Sequence, residues 1–585
     1  MGIMEVLQLL CGLALFLYGM NVMGDALKQS AGSRLKVILA NLTSNQFFGF
    51  LLGLGVTAII QSSSATTVMV VGFVNSGTMA LTQAVGVIMG ANVGTAVTSW
   101  ITGLSGIGEG GESLAILQWL KPDAWMPILA VIGIGFSMFG KREKKKNVGV
   151  ILLGFSVLMV GMDLMSGAVG GLKSDPTFCS ILTMFENPIL GVLAGTVLTA
   201  IVQSSSASVG ILQSLTFTGA ISYGAAIPIV MGQNIGTCVT AMLSSIGANK
   251  NAKRAALVHL YFNIIGVVVW LALFYVVDYL VDFPFVDSIV TPFGVAGIHT
   301  IFKILCVILF APFTKLLEKL AVVSIKDSKE EEKTNLLDER LMDTPTVAVE
   351  RAKAVTLEMA KISCDALKQS LEMLRSYDEK SAEKVRALED KADIYEDMLG
   401  TYLVKLSDHS MSERDSHETT KLLHLIGDLE RISDHAVNIL ESAEEMSDKK
   451  LSFSSEAQRE LKVLCAAVDD ILDITYNSLV SGNMESASLV EPLEQVIDNL
   501  KDKIKKNHIK RLQKSECTIE HGFILSDLLN NLERVSDHCS NIAGCVIEIS
   551  RFDALDMHGY LNAIKHSDSG EYTEKFNEYS QKYAL

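Results

Sequence analysis

Long apolar runs alternate with short polar stretches through the first 325 residues of the chain. A helix needs about 20 consecutive apolar residues to cross a bilayer. Runs long enough to cross lie near 3–23, 82–103, 148–170, 225–246, 256–280 and 294–313, with a shorter one near 125–140. This pattern predicts an all-α, polytopic membrane region. From about residue 346 the pattern changes to long amphipathic helices with few Gly or Pro.

Two further pairs of apolar segments are shorter than a full span. The first pair covers 47–60 and 65–77, and the second covers 189–202 and 207–219. The two members of each pair are separated by the polar letters QSSS. Segments of this length are more often broken or re-entrant helices than full spans. Each pair therefore predicts a hairpin that enters the membrane, breaks and leaves.

The QSSS motif belongs to an internal duplication with a constant offset of 142 residues. TAIIQSSSA (57–65) matches TAIVQSSSA (199–207), and MGANVGTAVT (89–98) matches MGQNIGTCVT (231–240). Earlier in each copy the shared residues are Gly12/Gly154, Gly19/Gly161, Met20/Met162 and Met23/Met165. A constant offset over almost ninety residues indicates two copies of one unit rather than chance.

Positive charges near the span ends orient the two copies. Lys28, Arg34 and Lys36 follow the first span, whereas the equivalent stretch 170–178 holds one lysine. Residues 108–113 are acidic, whereas their counterpart 249–254 is basic. Equivalent loops thus lie on opposite sides of the membrane, so the copies are predicted to be inverted-topology repeats, a plan typical of secondary transporters. The cluster KREKKK (141–146) places the linker between the repeats inside, so the N-terminus is expected outside and the C-terminal region in the cytoplasm.

Composition separates the chain into two parts. Residues 1–325 carry 16 Lys and Arg against 13 Asp and Glu, whereas the remaining 260 residues carry 33 against 52. The second part is therefore a strongly acidic, soluble domain, and this balance argues against nucleic acid as a partner. The nine cysteines show no CxxC or metal-ligand spacing and are expected to be free thiols in a reducing compartment.

The QSSS motifs suit the binding of a small oxyanion. Helix N-termini expose backbone N–H groups and a favourable dipole to anions, and serine hydroxyls add donors. Hydroxyl, amide and carbonyl oxygens also suit sodium. The alternative is that small residues simply allow close helix packing. For the Asn and Thr residues of the matching segments 89–98 and 231–240, binding and packing are about equally good interpretations. The predicted phosphate- and sodium-binding residues are Gln61, Ser62, Ser63, Ser64, Thr66, Asn92, Thr95, Gln203, Ser204, Ser205, Ser206, Ser208, Asn234 and Thr237.

The apolar core offers almost no fixed positive charge for such an anion. Lys303 lies in the last span without an evident partner, and Asp25 and Asp163 near span ends are interpreted as solvated or capping residues. An anion carried without a fixed cation is costly in a low dielectric. Co-transported cations would supply the missing charge, which favours ion-coupled symport.

Paired QSSS motifs in an inverted duplication resemble the type II sodium–phosphate cotransporter family. The resemblance covers roughly residues 1–320, with repeat 1 at 1–140, and with repeat 2 and the final spans at 141–325. It implies sodium-coupled movement of inorganic phosphate, with both QSSS segments in the substrate and sodium site. The family includes bacterial members thought to export phosphate, so the direction stays open.

The acidic region is also duplicated. After a charged linker at 326–345, GDLERISDHAVNI (427–439) matches NNLERVSDHCSNI (530–542), and LEDKADIYEDML (388–399) matches LEQVIDNLKDKI (493–504). Each half thus holds two E-x-x-x-D pairs, whose i,i+4 spacing places both carboxylates on one helix face. Two such helices assemble an oxygen-rich metal site, unless the pairs are simply solvated faces. The candidate ligands are Glu389, Asp393, Glu430, Asp434, Glu494, Asp498, Glu533 and Asp537, with His435 and His538 as further donors.

Residues 346–550 resemble PhoU, a phosphate-regulatory protein of two three-helix repeats that binds metal through such carboxylate pairs. The resemblance implies a cytoplasmic helical bundle with a divalent or iron-type metal, and a homo-oligomer or a regulatory protein as partner. The polar tail 551–585 carries no interpretation.

Three functions compete at this point. The first is a sodium-coupled phosphate transporter in the cytoplasmic (inner) membrane with a regulatory domain. The second is a membrane-anchored phosphate sensor without net transport. The third, an enzyme, is disfavoured because the QSSS motifs lack a G-x-S-x-G context and the chain lacks a phosphate-binding G-x-x-x-x-G-K-[ST] motif. The chain is therefore predicted not to be an enzyme.

Overall fold

The computed structural model describes residues 3–40, 46–106, 122–170, 184–326, 336–551 and 570–585. These residues form helices and no β-strand, which confirms the predicted all-α class. The chain divides into two compact units, Met1–Val347 and Ala348–Leu585. This division follows the change of composition that separates the apolar part from the acidic part.

Unit 1 contains thirteen described α-helices and three short 3-10 segments. The α-helices are α1 (Ile3–Ala40), α2 (Gln46–Ile60), α3 (Ser63–Asn75), α4 (Leu81–Gly103), α5 (Pro122–Phe139), α6 (Glu143–Gly170), α7 (Pro188–Val202), α8 (Ser205–Thr216), α9 (Tyr223–Gly236), α10 (Cys238–Ser244), α11 (Lys250–Val281), α12 (Pro292–Phe310) and α13 (Thr314–Ser324). The last of the 3-10 segments, Glu339–Asp343, precedes unit 2.

All six predicted full spans correspond to helices of unit 1. Among the described residues, six stretches are long and apolar enough to cross a membrane, and α5 is the predicted shorter one. Large apolar side chains remain exposed on α5, α7 and α11, as expected of surfaces that face lipid. Helix α1 is much longer than the predicted span 3–23, since it continues to Ala40.

The two predicted hairpins are present as pairs of short helices. Helices α2 and α3 have 15 and 13 residues, and α7 and α8 have 15 and 12. Each pair is interrupted at its QSSS motif. None of the four helices is long enough to cross a bilayer alone, since about 20 residues are needed.

Equivalent helices of the two repeats run in opposite directions. A Cβ at Gly12 would lie 2.8 Å from the Gly161 carbonyl oxygen, and a Cβ at Gly19 would lie 2.6 Å from the Gly154 carbonyl oxygen. The contact Gly12–Gly161 maps onto Gly154–Gly19 at the offset of 142, so α1 and α6 cross antiparallel about a local two-fold axis. This crossing confirms the inverted topology.

The same symmetry holds where each hairpin packs on the helix that follows it. A Cβ at Gly53 of α2 would overlap the Val87 carbonyl of α4, and its equivalent at Gly195 of α7 would overlap the Ile229 carbonyl of α9. Small residues thus allow backbones to touch, as at many membrane helix interfaces. Glycines of the following helices make the reciprocal contact. A Cβ at Gly90 of α4 would overlap the Phe50 carbonyl of α2, and a Cβ at Gly232 of α9 would overlap the Val192 carbonyl of α7.

Unit 2 contains two three-helix repeats with extra short helices. The helices are α14 (Pro345–Met373), α15 (Glu379–Ser407), α16 (Glu413–Asp448), α17 (Ser455–Ser481), α18 (Met484–Ala487), α19 (Val490–Gln513), α20 (Ile519–Arg551) and α21 (Gly570–Lys582). The first repeat is α14–α16 and the second is α17, α19 and α20. Helix α21 falls in the region expected to be a polar tail.

The third helices of the two repeats, α16 and α20, pack on each other through paired polar contacts. His435 Nδ1 lies 2.8 Å from Asn531 Oδ1, and His538 Nδ1 lies 2.8 Å from Asp428 Oδ1. The two imidazole rings stack at 5.6 Å. The two contacts are equivalent, because at the offset of 103 residues His435 corresponds to His538 and Asp428 corresponds to Asn531. The Nδ1 atoms of both histidines thus join the two repeats, and the suggestion that either histidine adds a metal ligand stays a prediction.

The glycine contacts generate a test of the hairpin packing. Gly90→Ala should lower the thermal stability of the detergent-solubilised protein, because its Cβ would overlap the Phe50 carbonyl of α2. We expect a loss of about 1–3 kcal/mol, as for other overpacked sites. Gly55→Ala is the matched control in the same hairpin, since no atom lies within 4 Å of its Cβ. Equal melting temperatures for the two variants would contradict the packing described here.

Candidate functional site

Each hairpin breaks at a glutamine in the left-handed backbone region. Gln61 has φ 59° and Gln203 has φ 56°, a conformation that non-glycine residues seldom adopt. The following serines cap the second helix of each hairpin: Ser62 Oγ accepts from the Ala65 N–H and Ser204 Oγ accepts from the Ala207 N–H, both at 3.2 Å. The QSSS sequence therefore ends one helix and begins the next within four residues.

A second pair of hydroxyl contacts closes each hairpin behind its break. Thr57 Oγ1 donates to Thr66 Oγ1 at 3.0 Å, and Thr199 Oγ1 donates to Ser208 Oγ at 2.7 Å. All four side chains are buried. Thr66 and Ser208, both predicted to bind ligand, thus hold the two arms of a hairpin together.

The two QSSS motifs line one cavity of about 380 Å³. The N-termini of α3 and α8 both reach it, so two sets of helix-terminal N–H groups and two positive dipole ends meet there. Such an arrangement favours an anion. The lining residues are Leu17, Met20, Asn21, Gly24, Asp25, Lys28, Ile60, Gln61, Ser62, Ser63, Ser64, Val202, Gln203, Ser204, Ser205 and Ser206.

Helix α1 supplies one wall of this cavity, which the sequence analysis missed. Asn21, Gly24, Asp25 and Lys28 line it together. Their spacing of i, i+3, i+4 and i+7 is that of one helix face, and this spacing was the available signal. Asp25 lies inside α1 rather than at its end, which corrects the interpretation as a cap, whereas its side chain, 66% exposed, agrees with the interpretation as a solvated residue. A fixed cation, Lys28, also lines the cavity, which corrects the expectation that the binding region has almost none.

Six other predicted site residues lie outside the wall of this cavity in the described part of the chain. Two of them, Thr66 and Ser208, close the hairpins. The other four bond to the carbonyl four residues earlier in their own helix: Asn92 to Ile88, Thr95 to Ala91, Asn234 to Val230 and Thr237 to Gln233. The neighbouring Gly94 and Gly236 touch Thr57 and Thr199 of the hairpins. These contacts are typical of helix packing, and a role for the six in ion binding stays a prediction.

Neighbouring polar side chains of α4 contact the first break and helix α12. Thr98 Oγ1 of α4 donates to Gln61 Oε1 at 2.8 Å. The next residue, Ser99, has its Oγ 2.9 Å from His299 Nδ1. Lys303, one turn further along α12, is 3% exposed. Gln61 is thus held by α4, whereas Gln203 is exposed.

In unit 2 the first repeat brings its acidic pairs together. Ligand atoms of Glu389, Asp393 and Asp434 lie within 4.8 Å of one another. Burial and the neighbouring carboxylates Asp434 and Asp393 raise the pKa of Glu430 to about 7, and Glu430 shares a hydrogen bond with Asp434. Burial and nearby acids also raise the pKa values of Glu389 and Asp393. A cluster of carboxylates, three of which have raised pKa values, suits a hard, multiply charged cation.

The second repeat differs at the equivalent place. Lys501 Nζ lies 2.6 Å from Glu533 Oε1, and Lys501 corresponds to Glu396 of the first repeat. Arg534 lies 3.6 Å from Asp537, whose pKa is raised by burial, Glu533 and Asp498. A lysine thus partly neutralises this second acidic group. The two groups of predicted ligands, symmetric in sequence, are therefore unequal in charge.

Comparison with known proteins decides the family. The family model described as Na⁺/Pi-cotransporter matches residues 15–167 and 174–285, which include both hairpins and the cavity wall on α1. The chain belongs to the Na⁺/Pi-cotransporter family. The model of the PhoU domain matches residues 356–443 and 461–546, one match in each three-helix repeat of unit 2. Both resemblances inferred from the sequence are confirmed.

Relatives of this chain occur in bacteria and animals. YjbB of Salmonella typhimurium, named for inorganic phosphate export, is 28% identical over 558 residues and covers 93% of this chain and 98% of its own. Human sodium-dependent phosphate transport protein 2B is 34% identical over 240 residues, 36% of this chain and 33% of its own. The crystal structure of PhoU from Pseudomonas aeruginosa is 19% identical with a TM-score of 0.33, covering 34% of this chain and 96% of that one.

The inequality of the two acidic groups of the PhoU domain generates a metal-binding test. We expect Mn²⁺ to bind the purified full chain at the first-repeat group. Asp434→Asn should weaken this binding by at least about 10–100-fold, the usual effect of disturbing a metal site. The equivalent change in the second repeat, Asp537→Asn, is the matched control and should leave the affinity near that of the wild type. Equal losses in both variants would contradict the assignment to the first repeat.

The same site should bind metal more tightly as the pH rises from 6 to 8. With its pKa raised to about 7, Glu430 is largely protonated at pH 6, and a metal ligand must lose its proton. Glu430→Gln should flatten this pH dependence, measured by titration with Mn²⁺. An affinity that is independent of pH in the wild type would contradict a ligand role for Glu430.

Proposed function

We propose that this protein moves inorganic phosphate across the cytoplasmic membrane together with sodium, by alternating access, and that its PhoU domain regulates the movement. The observation that carries the proposal is the meeting of the two QSSS helix N-termini in one cavity of about 380 Å³. Membership of the Na⁺/Pi-cotransporter family and the names of the relatives support the choice of phosphate and sodium.

The cavity suits phosphate because it offers donors from two directions. Ser62–Ser64 approach from the first repeat and Ser204–Ser206 from the second. Hydroxyl and backbone N–H groups bind phosphate oxygens, and the two dipole ends add positive potential. Sodium requires oxygen ligands, and serine hydroxyls, the Asn21 amide and the Asp25 carboxylate supply them along the same wall.

The inverted repeats suit alternating access. The cavity lies where the two repeats meet, which is the usual place of the binding site in transporters of this plan. Rocking of one repeat against the other would open the cavity to each side in turn. Net direction then follows the ion gradients, which accommodates both the export named for YjbB and the sodium-dependent transport named for the human relative.

The test is uptake of radiolabelled phosphate into proteoliposomes of the purified full chain. An inward sodium gradient should drive accumulation above equilibrium, and replacement of sodium by potassium should abolish it. Phosphate binding without accumulation in either orientation would instead favour a membrane-anchored sensor, the second function that a PhoU domain beside a phosphate site supports.

Two cavity serines should be needed for this uptake. Ser64→Ala and Ser206→Ala each remove a hydroxyl donor from the cavity wall, and we expect each to lower phosphate affinity by about tenfold, as for a hydrogen bond to a charged group. Ser244→Ala is the control, since Ser244 bonds to the Ala241 carbonyl of its own helix. Uptake at the wild-type rate and affinity in both folded cavity variants would refute the site.

We propose that regulation reaches the cavity through residues 336–344, which lie within the expected charged linker. Leu341 is fully buried, and a Cβ at Gly72 of α3 would lie 3.0 Å from its side chain. Asn75 at the end of α3 donates to Asp338 Oδ2 at 2.7 Å. This segment leads directly into α14, so a change in the PhoU domain has a covalent route to the helix that carries Ser63 and Ser64.

The segment has contacts with the second repeat as well. Arg340 binds Asp338 at 2.9 Å and donates to the Ile246 carbonyl at 3.2 Å. Asn75 Oδ1 accepts from the Asn249 N–H at 2.7 Å. The segment therefore joins the end of α3 to the turn before α11, two places that belong to different repeats.

Asp338→Asn should uncouple this segment while leaving the cavity intact. The substitution removes the charge that binds both Asn75 and Arg340, and we expect the maximal uptake rate to change by about twofold or more. The phosphate concentration for half-maximal uptake should stay the same. Asp343→Asn is the matched control, because Asp343 is exposed on the same turn. An uptake rate equal to that of the control would argue against this route.

A further inference from the structure

One ion pair lies in the wall of the serine cavity. Lys28 Nζ is 3.0 Å from Asp25 Oδ1, and both residues line the cavity with the two QSSS motifs. They lie within the apolar stretch Ile3–Ser30 that is long enough to cross the membrane. Charged residues inside such a stretch are costly and usually mark a pathway for ions.

The pair belongs to the first repeat alone. At the offset of 142, Asp25 and Lys28 correspond to Gly167 and Gly170. The cavity is therefore symmetric in its serines and asymmetric in its charges. The glycine packing that the two repeats share does not explain the pair, because the second repeat makes the equivalent glycine contacts without it.

The pair is also easy to open. The side chain of Lys28 is 25% exposed and that of Asp25 is 66% exposed. Ion pairs that water reaches contribute little net stability. A phosphate dianion near Lys28 competes with Asp25 for the ammonium, and a sodium ion near Asp25 competes with Lys28 for the carboxylate.

We propose that the Asp25–Lys28 pair couples the binding of the two cargo ions, with Lys28 as the counter-charge of phosphate and Asp25 as a ligand of sodium. The inference rests on the proposed function and names the residues that link its two ions. Phosphate alone would break the pair and leave Asp25 facing an anion. Sodium alone would leave Lys28 facing a cation. When both ions are bound, the single Asp25–Lys28 pair is replaced by two pairs, Lys28 with phosphate and Asp25 with sodium.

This arrangement makes the binding of each ion dependent on the other. By linkage, the factor by which sodium raises phosphate affinity equals the factor by which phosphate raises sodium affinity. The helix-terminal N–H groups supply affinity for the anion, whereas the pair supplies the coupling. Substitution of Asp25 or Lys28 should therefore change the dependence of phosphate binding on sodium more than it changes the stability of the protein.

The test is equilibrium binding of ³²P-labelled phosphate to the purified full chain, with choline replacing sodium in a concentration series. In the wild type, saturating sodium should lower the phosphate Kd by about tenfold or more, a typical coupling. In Asp25→Asn, Lys28 is no longer occupied by a carboxylate. Phosphate should therefore bind more tightly than in the wild type at zero sodium, and sodium should improve binding by less than about twofold.

The opposite substitution gives an independent readout. Lys28→Gln should weaken phosphate binding at saturating sodium by about tenfold, and Lys28→Arg should restore most of it. Binding of ²²Na⁺ without phosphate should be tighter in Lys28→Gln than in the wild type, since Asp25 is then released. Lys319→Gln, which removes an exposed charge of α13, is the control and should match the wild type.

The outcomes separate two failures. A wild type that binds phosphate with sodium dependence, together with an Asp25→Asn variant of unchanged sodium dependence and a Lys28→Gln variant of unchanged affinities, would overturn the role of the pair alone. A wild type that binds no phosphate at any sodium concentration would overturn the proposed function as well. Melting temperatures of the ligand-free variants near that of the wild type establish that the comparison is between folded proteins.

Discussion

A helix that stops inside a membrane must satisfy its terminal backbone groups, and this constraint explains the rest of the structure. The chain stops two helices, at Gln61 and at Gln203, and accepts a left-handed glutamine at each break. Serine hydroxyls cap the new helices, and buried threonines close the arms behind them. The N–H groups that remain at the two helix starts face a shared cavity. A polar cavity in an apolar domain thus follows directly from where the helices end.

The architecture could be predicted from the sequence because it depends on patterns that repeat. Span lengths, two interrupted hairpins and an offset of 142 residues each have a direct physical meaning, and the structure agrees with them. The predicted binding residues divide into two classes. Ser62–Ser64 and Ser204–Ser206 line the cavity, whereas Asn92 and Asn234 bond to their own helices. A motif shared by two repeats shows which positions are equivalent. Residues that serve helix packing and residues that serve binding both recur in this way, so a motif alone does not distinguish the two roles.

What the sequence analysis missed lies where the two repeats differ. Asp25 and Lys28 have no counterparts in the second repeat, so a search for repeated motifs passes over them. Their helical spacing with Asn21 and Gly24 is visible in the sequence, but the predicted span ended at residue 23, whereas α1 continues past it. Lys501, which binds Glu533, likewise distinguishes two acidic groups that look equal in sequence. In both units, the two repeats share their apolar and small residues but differ in charged residues at equivalent positions.

The antiparallel crossing of α1 and α6 also bears on how such a chain arises. Gly12 and Gly19 of one copy meet Gly161 and Gly154 of the other, so both sides of the contact use the same two positions of the ancestral unit. In an ancestor made of two identical subunits, one mutation at either position would have altered the interface twice. In a single chain that carries both copies, this doubling is absent. Each half could then acquire charges of its own without imposing them on the other half.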